Sequence, residues 1–176
     1  MDRPLLVVIS GELGSGKTTL ARPLAQRLGA TLLSKDLLKE SMYEALDLTT
    51  DRRSKAGSVA AMRLMYSIAS TSASPLVLEA NWKPMDVPQL AALSRPMVQL
   101  HCEAQPDVLS ERVRGRERHP VHRDRTVPAV FDHVMAAIRS RVHEPLELPC
   151  PLIRVDTTEP VDLARLITAI SDTTPA

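Results

Sequence analysis

Short apolar runs alternate along this chain with longer amphipathic stretches. Leu5-Leu6-Val7-Val8-Ile9 is continuous and partly β-branched, the pattern of a strand buried on both faces. Comparable runs follow at Thr31-Leu32-Leu33, Leu76-Val77-Leu78, Met97-Val98-Gln99-Leu100-His101-Cys102 and Leu152-Ile153-Arg154-Val155. Helical spacing fills the intervals. Thr19 to Leu28 reads as a helix with Gly29 as its C-cap, although Pro23 removes a hydrogen bond and should kink the axis. Asp36 to Leu46 and Arg53 to Ser70 read as two more helices. The second carries Val59, Met62, Met65, Tyr66 and Ala69 as a core stripe. A helix from Pro106 to Arg118 opens with Pro and Asp, as N-termini favour. Another carries Val130, Phe131, Val134, Met135, Ile138 and Val142, and the last runs from Val161 to Ile170. Strands separated by helices predict βαβ units. The expected fold is α/β, one domain over residues 1–176, with a parallel sheet between two helical layers.

The link between the first strand and first helix carries the most specific signal. Gly11-Glu12-Leu13-Gly14-Ser15-Gly16-Lys17-Thr18 matches the phosphate-binding pattern G-x-x-x-x-G-K-[ST], between a strand and a helix as that pattern requires. A loop that wraps a polyphosphate must aim several backbone N–H groups inward, and Gly11, Gly14 and Gly16 permit the angles needed. Ser15 and Thr19 complete the nucleotide-binding set. The positive end of the helix faces the phosphates, Lys17 reaches the β- and γ-phosphates, and the Thr18 hydroxyl ligates Mg²⁺. A Gly-rich turn without a ligand would give no reason for a lysine at a helix start.

Ligands of open α/β sheets bind beyond the carboxyl ends of the strands, so the residues there are the next candidates. Asp36 follows the second strand and suits a general base that accepts an acceptor hydroxyl's proton. Its simpler role is a first-turn acid behind a Ser34 cap. Lys39 shares its helical face and could orient the acceptor, or be a solvated surface lysine. Glu79 ends the third strand as a candidate for Mg²⁺ or the acceptor, and Asn81 and Trp82 are weaker candidates beside it. Asp156-Thr157-Thr158 ends the fifth strand, and Thr157 is assigned with Arg112 to the nucleotide. Between Glu111 and Arg125 lie six arginines: 112, 114, 116, 118, 123 and 125. Phosphoryl transfer needs cations over the migrating group, so residues 106–127 read as a lid, with Arg116 and Arg118 as catalytic candidates.

Composition narrows the classes. The formal charge is +1, which argues against broad nucleic-acid binding. Only 2% of residues are aromatic, so Leu, Val, Ala and Met must fill the core. Cys102 and Cys150 form no disulfide framework and read as buried thiols. No run has the length of a membrane span and no signal peptide is evident, so a cytoplasmic setting is expected. Oligomeric state is not legible, and the tail from Ser171 to Ala176 is expected to fray.

Together these residues resemble the P-loop kinases, in particular the group of chloramphenicol phosphotransferase, zeta toxins, the kinase domain of polynucleotide kinase and predicted ATP-dependent kinases. The phosphate loop Gly11–Thr18 carries most of the likeness. Leu33-Ser34-Lys35-Asp36 resembles the end of the family's second strand, which implies a general base at Asp36. Leu78-Glu79 resembles its third-strand acid, usually Asp. Arg116-Glu117-Arg118-His119-Pro120 and His122-Arg123 resemble its lid. Glu144 to Pro149, leading to Asp156-Thr157-Thr158, resembles the approach to the adenine-side loop. The resemblance implies a three-layer P-loop NTPase sandwich with strand order 2-3-1-4-5, ATP with Mg²⁺, and phosphoryl transfer. The acceptor is expected to be a small hydroxyl-bearing molecule, seated against a helical insertion over residues 34–74 whose wall mixes Leu38, Met42, Tyr43, Leu46, Met62 and Tyr66 with Lys39, Arg52 and Arg53. A nucleotide-dependent switch and a polynucleotide 5′-hydroxyl kinase are the competing functions.

Overall fold

The computed structural model describes residues 4–43, 45–117, 119–122, 128–140 and 144–173, the side chains of 120, 128–130, 133, 137 and 139 excepted. Five strands, β1 (Leu6–Gly11), β2 (Thr31–Ser34), β3 (Leu76–Glu79), β4 (Met97–Glu103) and β5 (Leu152–Asp156), form one sheet. Its order is β2-β3-β1-β4-β5 and every pairing is parallel. β1 is the central strand and all six of its residues are buried. Register brings Ser34 opposite Glu79 and Gly11 opposite Cys102, so the strand ends meet along one rim of the sheet.

Helices cover both faces. On one face α1 (Lys17–Arg27) and α7 (Leu163–Thr173) pack Leu20, Leu24, Leu166 and Ile170 against Val7, Ile9, Val98 and Leu100. On the other, α3 (Asp51–Thr71) and α4 (Val87–Ala91) pack Met65, Ala69 and Leu90 against Leu6, Val8 and Leu78. A smaller cluster joins α5 (Pro106–Gly115) to α6 (Pro128–Ser140) through Leu109, Val113, Met135 and Ile138. The first helix continues through Pro23 and ends as expected. Gly29, at φ 59, lets Ala30 N–H bond to Ala25 C=O at 2.9 Å and Gly29 N–H to Gln26 C=O at 3.3 Å, a Schellman ending.

Several boundaries differ from the pattern's reading. The helix expected over Asp36–Leu46 is α2 (Lys35–Ser41) and stops early. Leu48 turns back instead and lies 3% exposed against Gly57, where an added Cβ would come within 2.5 Å of its Cδ1. This close approach moves the buried stripe of α3 to Ser54, Gly57, Ala61, Met65 and Ala69 and leaves Val59 exposed. The helix expected to reach Arg118 ends at Gly115, and the last begins at Leu163. Ser34 precedes α2, but its hydroxyl makes no cap bond and serves Glu79. Val142 and the tail beyond Thr173 lie outside the described residues.

Two buried polar side chains tie elements of the fold together. The Arg95 guanidinium donates to the carbonyls of Ala69, Ser72 and Ser74, which closes the C-terminal end of α3. With its amide oxygen and nitrogen assigned to match their neighbours, the Gln99 side chain pairs with both backbone groups of Leu146 at 2.9 Å and fastens the segment before β5 to the sheet. Among the described residues, no helix is long and apolar enough to cross a membrane.

Candidate active site

The loop between β1 and α1 is shaped by its glycines. Gly11 has φ 138, and a Cβ there would lie 2.3 Å from the Cys102 carbonyl oxygen. Gly14 has φ 83, and a Cβ there would lie 2.9 Å from the Leu109 carbonyl oxygen. Neither position admits a side chain, for conformational and steric reasons alike. The loop closes on itself through Ser15 N–H to Glu12 C=O at 3.1 Å. Lys17 Nζ lies across its mouth, donating to the carbonyls of Gly11 at 2.8 Å and Glu12 at 2.7 Å. Burial pushes the Lys17 ammonium below its usual range. The charges of Glu79, Cys102, Asp36 and Glu12 act in the opposite direction. Asp36 and Glu79 therefore both lie within electrostatic reach of the loop lysine.

Glu79 is buried at the end of β3, beside β1. Its Oε1 accepts from Thr18 Oγ at 3.4 Å and its Oε2 from Ser34 Oγ at 2.5 Å. A buried carboxylate beside a hydroxyl at the start of α1 is an all-oxygen donor pair of the kind Mg²⁺ takes. Trp82 is buried and donates from Nε1 to the Ile9 carbonyl at 2.9 Å, so it braces β1. Asn81 is exposed at the same rim.

On the β5 side, Arg112 and Thr157 meet. Arg112 donates to the Thr157 carbonyl at 2.7 Å and the Thr158 carbonyl at 3.3 Å, with its other nitrogen 3.4 Å from the Thr157 hydroxyl. The Thr157 hydroxyl lies 2.9 Å from the carbonyl oxygens of Ser15 and Glu103. This clasp ties α5 and the β5 end to the loop. A cleft of about 910 Å³ opens there, bounded by Gly14 to Leu20, Arg112, Arg116, Thr157, Thr158 and the apolar Pro160, Val161 and Leu163. Its polar floor and apolar far wall suit a phosphate chain joined to a flat ring. Arg118, Arg123 and Arg125 lie outside the described residues.

On the β2 side, Asp36 sits in the first turn of α2, with Lys35 Nζ 3.5 Å from its Oδ1. Lys39 is not a solvated lysine. It is 6% exposed and donates to the Val121 carbonyl at 3.2 Å, which Ser54 also reaches at 2.9 Å. His122 follows Val121 in the chain and approaches both Asp36 and Glu40. The hydrophobic pattern did not single out this contact. The sequence signal it left is a pair of carboxylates at i and i+4 on one helix face, a spacing that invites a cation.

The topology, the loop and the carboxylate at its hydroxyl define a nucleotide-binding protein with the fold of the P-loop kinases. The family model for the AAA domain matches residues 6–142, and the chain belongs to that family of P-loop NTPases. A presumptive kinase from Chloroflexus aurantiacus superimposes with a TM-score of 0.86 at 32% identity, covering 98% of this chain and 99% of that one. A sugar kinase from Janibacter sp. has a TM-score of 0.62 at 22% identity, with 98% and 96% covered. A gluconokinase from Sinorhizobium meliloti gives 0.58 at 19%, with 97% and 91% covered, and these two show the shared fold alone. Among curated proteins, a tRNA dimethylallyltransferase of Homo sapiens is 49% identical over 47 residues. That stretch spans 27% of this chain and 10% of the relative's length.

Proposed function

We propose that this protein is an ATP-dependent phosphotransferase that moves the γ-phosphate of ATP to a hydroxyl of a small molecule. The observation that carries the reading is the convergence at one rim of Lys17, the Thr18–Glu79 pair and Asp36, with the Glu79 and Asp36 carboxylates both acting on the Lys17 charge. A nucleotide switch needs the first two but not a carboxylate on the neighbouring helix.

The loop geometry fits a polyphosphate, and the Thr18 and Glu79 oxygens would hold Mg²⁺, which would supply positive charge to the phosphates. The backbone of Gly11 to Thr18, with the side chains of Ser15 and Thr19, holds the phosphates, and Arg112 and Thr157 shape the ring-side cleft. Lys17 balances charge on the phosphates. Asp36 takes up the proton of the acceptor hydroxyl as that oxygen replaces ADP on phosphorus. Arg116, which lines the cleft, and Arg118 supply cations to the migrating group. Lys39 positions the acceptor through the α2 wall, and Asn81 faces it from the β3 end. The segment 34–74 forms the acceptor side and 106–127 the lid. Near-neutral charge favours a compact acceptor over a nucleic acid.

The test is a panel of nucleosides, nucleotides, sugars, aminoglycosides, phenicols, tRNA and 5′-hydroxyl oligonucleotides, scored for Mg²⁺-ATP-dependent phosphorylation. Transfer to one class of small alcohol supports the reading, and transfer to nucleic acid alone overturns it.

A further inference from the structure

His122 lies in the turn Pro120–His122, 82 positions beyond Glu40 in sequence, yet its side chain is 5% exposed and faces α2. Nε2 is 2.7 Å from Glu40 Oε1, and Nδ1 is 3.9 Å from Asp36 Oδ1. Both ring nitrogens thus face carboxylate oxygens. A neutral imidazole has one N–H and one lone pair, so either tautomer would point a lone pair at a carboxylate. The imidazolium donates from Nε2 to Glu40 and keeps its positive charge within ion-pair distance of Asp36.

The turn and the residue before it are fastened to α2, the bend after α2 and α3 at three further points. Val121 is fully buried, and its carbonyl accepts from Lys39 and Ser54. The His119 ring meets the Tyr43 ring edge-on at a centroid distance of 4.7 Å. Among the described residues, the charged and titratable groups facing the turn are Asp36, Glu40 and Lys39 of α2, Tyr43 beyond it and His119 just before the turn, and Lys35 pairs with Asp36. Six residues upstream, Arg116 lines the nucleotide cleft. One short segment therefore touches the nucleotide side at one end and the acceptor-side carboxylate at the other.

We propose that His122 is a positioning residue for phosphoryl transfer: as an imidazolium held between Glu40 and Asp36, it docks the lid turn on α2 and fixes the Asp36 carboxylate in its base orientation. The role rests on the reading of Asp36 as the general base. It also predicts a coupling between three side chains that is measurable with no acceptor present.

The experiment combines ring-nitrogen NMR of the whole protein with kinetics of three variants. His122→Gln assigns the His122 signals. In the wild type both His122 nitrogens are expected to be protonated at pH 7, with Asp36→Asn and Glu40→Gln each lowering the pH of deprotonation by about one unit. For His122→Gln, kcat with Mg²⁺-ATP and the fastest acceptor of the panel, or water where none reacts, should fall about 10-fold. The KM for ATP should change less than about 2-fold. The acid limb of the rate profile should rise by about one pH unit, because the Asp36 carboxylate loses one of the cations beside it. A neutral His122 ring at pH 7, or a titration indifferent to both carboxylate variants, overturns the proposal. An inactive Asp36→Asn beside a wild-type rate profile for His122→Gln overturns the positioning role alone. An Asp36→Asn enzyme at full kcat removes the base assignment, and the positioning role with it.

Discussion

The nucleotide side and the proposed acceptor side of this site are built in different ways. The nucleotide side is a backbone structure. Its phosphate loop is fixed by glycines that lie against the carbonyls of Cys102 and Leu109, and Arg112 clasps it through the backbone of Thr157 and Thr158. The acceptor side is a side-chain structure. Asp36, Glu40, Lys39, Ser54 and His122 converge there from α2, α3 and the distant turn. Backbone recognition suits a phosphate chain common to many enzymes. Side-chain recognition can change with the acceptor while the fold stays the same.

Substitutions on the two sides should therefore separate binding from transfer. The largest effect is expected from Lys17→Ala, which removes charge from both the bound and the reacting phosphates. It should lower kcat/KM for ATP by about 10⁴ or more, with the fold intact by circular dichroism. Steady-state kinetics with varied ATP measure this. Unchanged turnover would detach the loop from catalysis. Arg116→Ala comes next, with kcat down about 10²–10³ and little change in KM, since cations over a migrating group act mainly in the transition state. Equal losses in kcat and ATP affinity would place Arg116 with the binding elements.

Arg112→Ala should act on the nucleotide side alone. Losing its bonds to two carbonyls should weaken ATP binding about 10-fold, read by calorimetric titration, while the rate at saturating ATP stays near wild type. A fall in kcat at saturation would move Arg112 to the reacting end.

The smallest effect concerns Cys102, beneath the loop. Burial pushes its thiol up to about 12 from 9.0, with Lys17 acting in the opposite direction. The folded state holds this proton more tightly than the unfolded one. Its contribution to stability is therefore complete below pH 9.0 and is lost as pH rises toward about 12. Melting curves of Cys102→Ala should decline less over that window than wild type. At pH 8 a thiol reagent should label half-buried Cys150 well before Cys102. Rapid labelling of Cys102 in the folded protein would contradict its sealed position.

The sequence patterns anticipated the two sides unequally, for the same physical reason. Apolar runs locate all five strands, most plainly β1 and β3, which are buried throughout, and the resemblance supplied their order. The loop is legible because its backbone angles demand glycine at fixed spacing. Glu79 is legible as a candidate because it ends a strand, and Asp36 because it opens the helix that follows one. The early stop of α2 is not, since Leu38, Met42 and Leu46 continue a helical period while Leu48 is drawn back to Gly57 across the bend. Nor is the role of Ser34, whose place before a helix suggests a cap while its hydroxyl bonds a strand partner instead. His122 reaches Asp36 only through tertiary docking of the turn, and no local periodicity encodes that contact.

The central claim is that the chemistry uses both sides at once. The most direct measurement follows label from [γ-³²P]ATP in the presence of Mg²⁺ and the acceptor panel, for wild type and Asp36→Asn at equal ATP occupancy. The account predicts labelled small alcohol with the wild type. With Asp36→Asn it predicts a transfer rate lower by about 10²–10⁴, with ATP affinity nearly unchanged. Label that appears only as inorganic phosphate whatever the acceptor, or transfer at the full rate by Asp36→Asn, would contradict it.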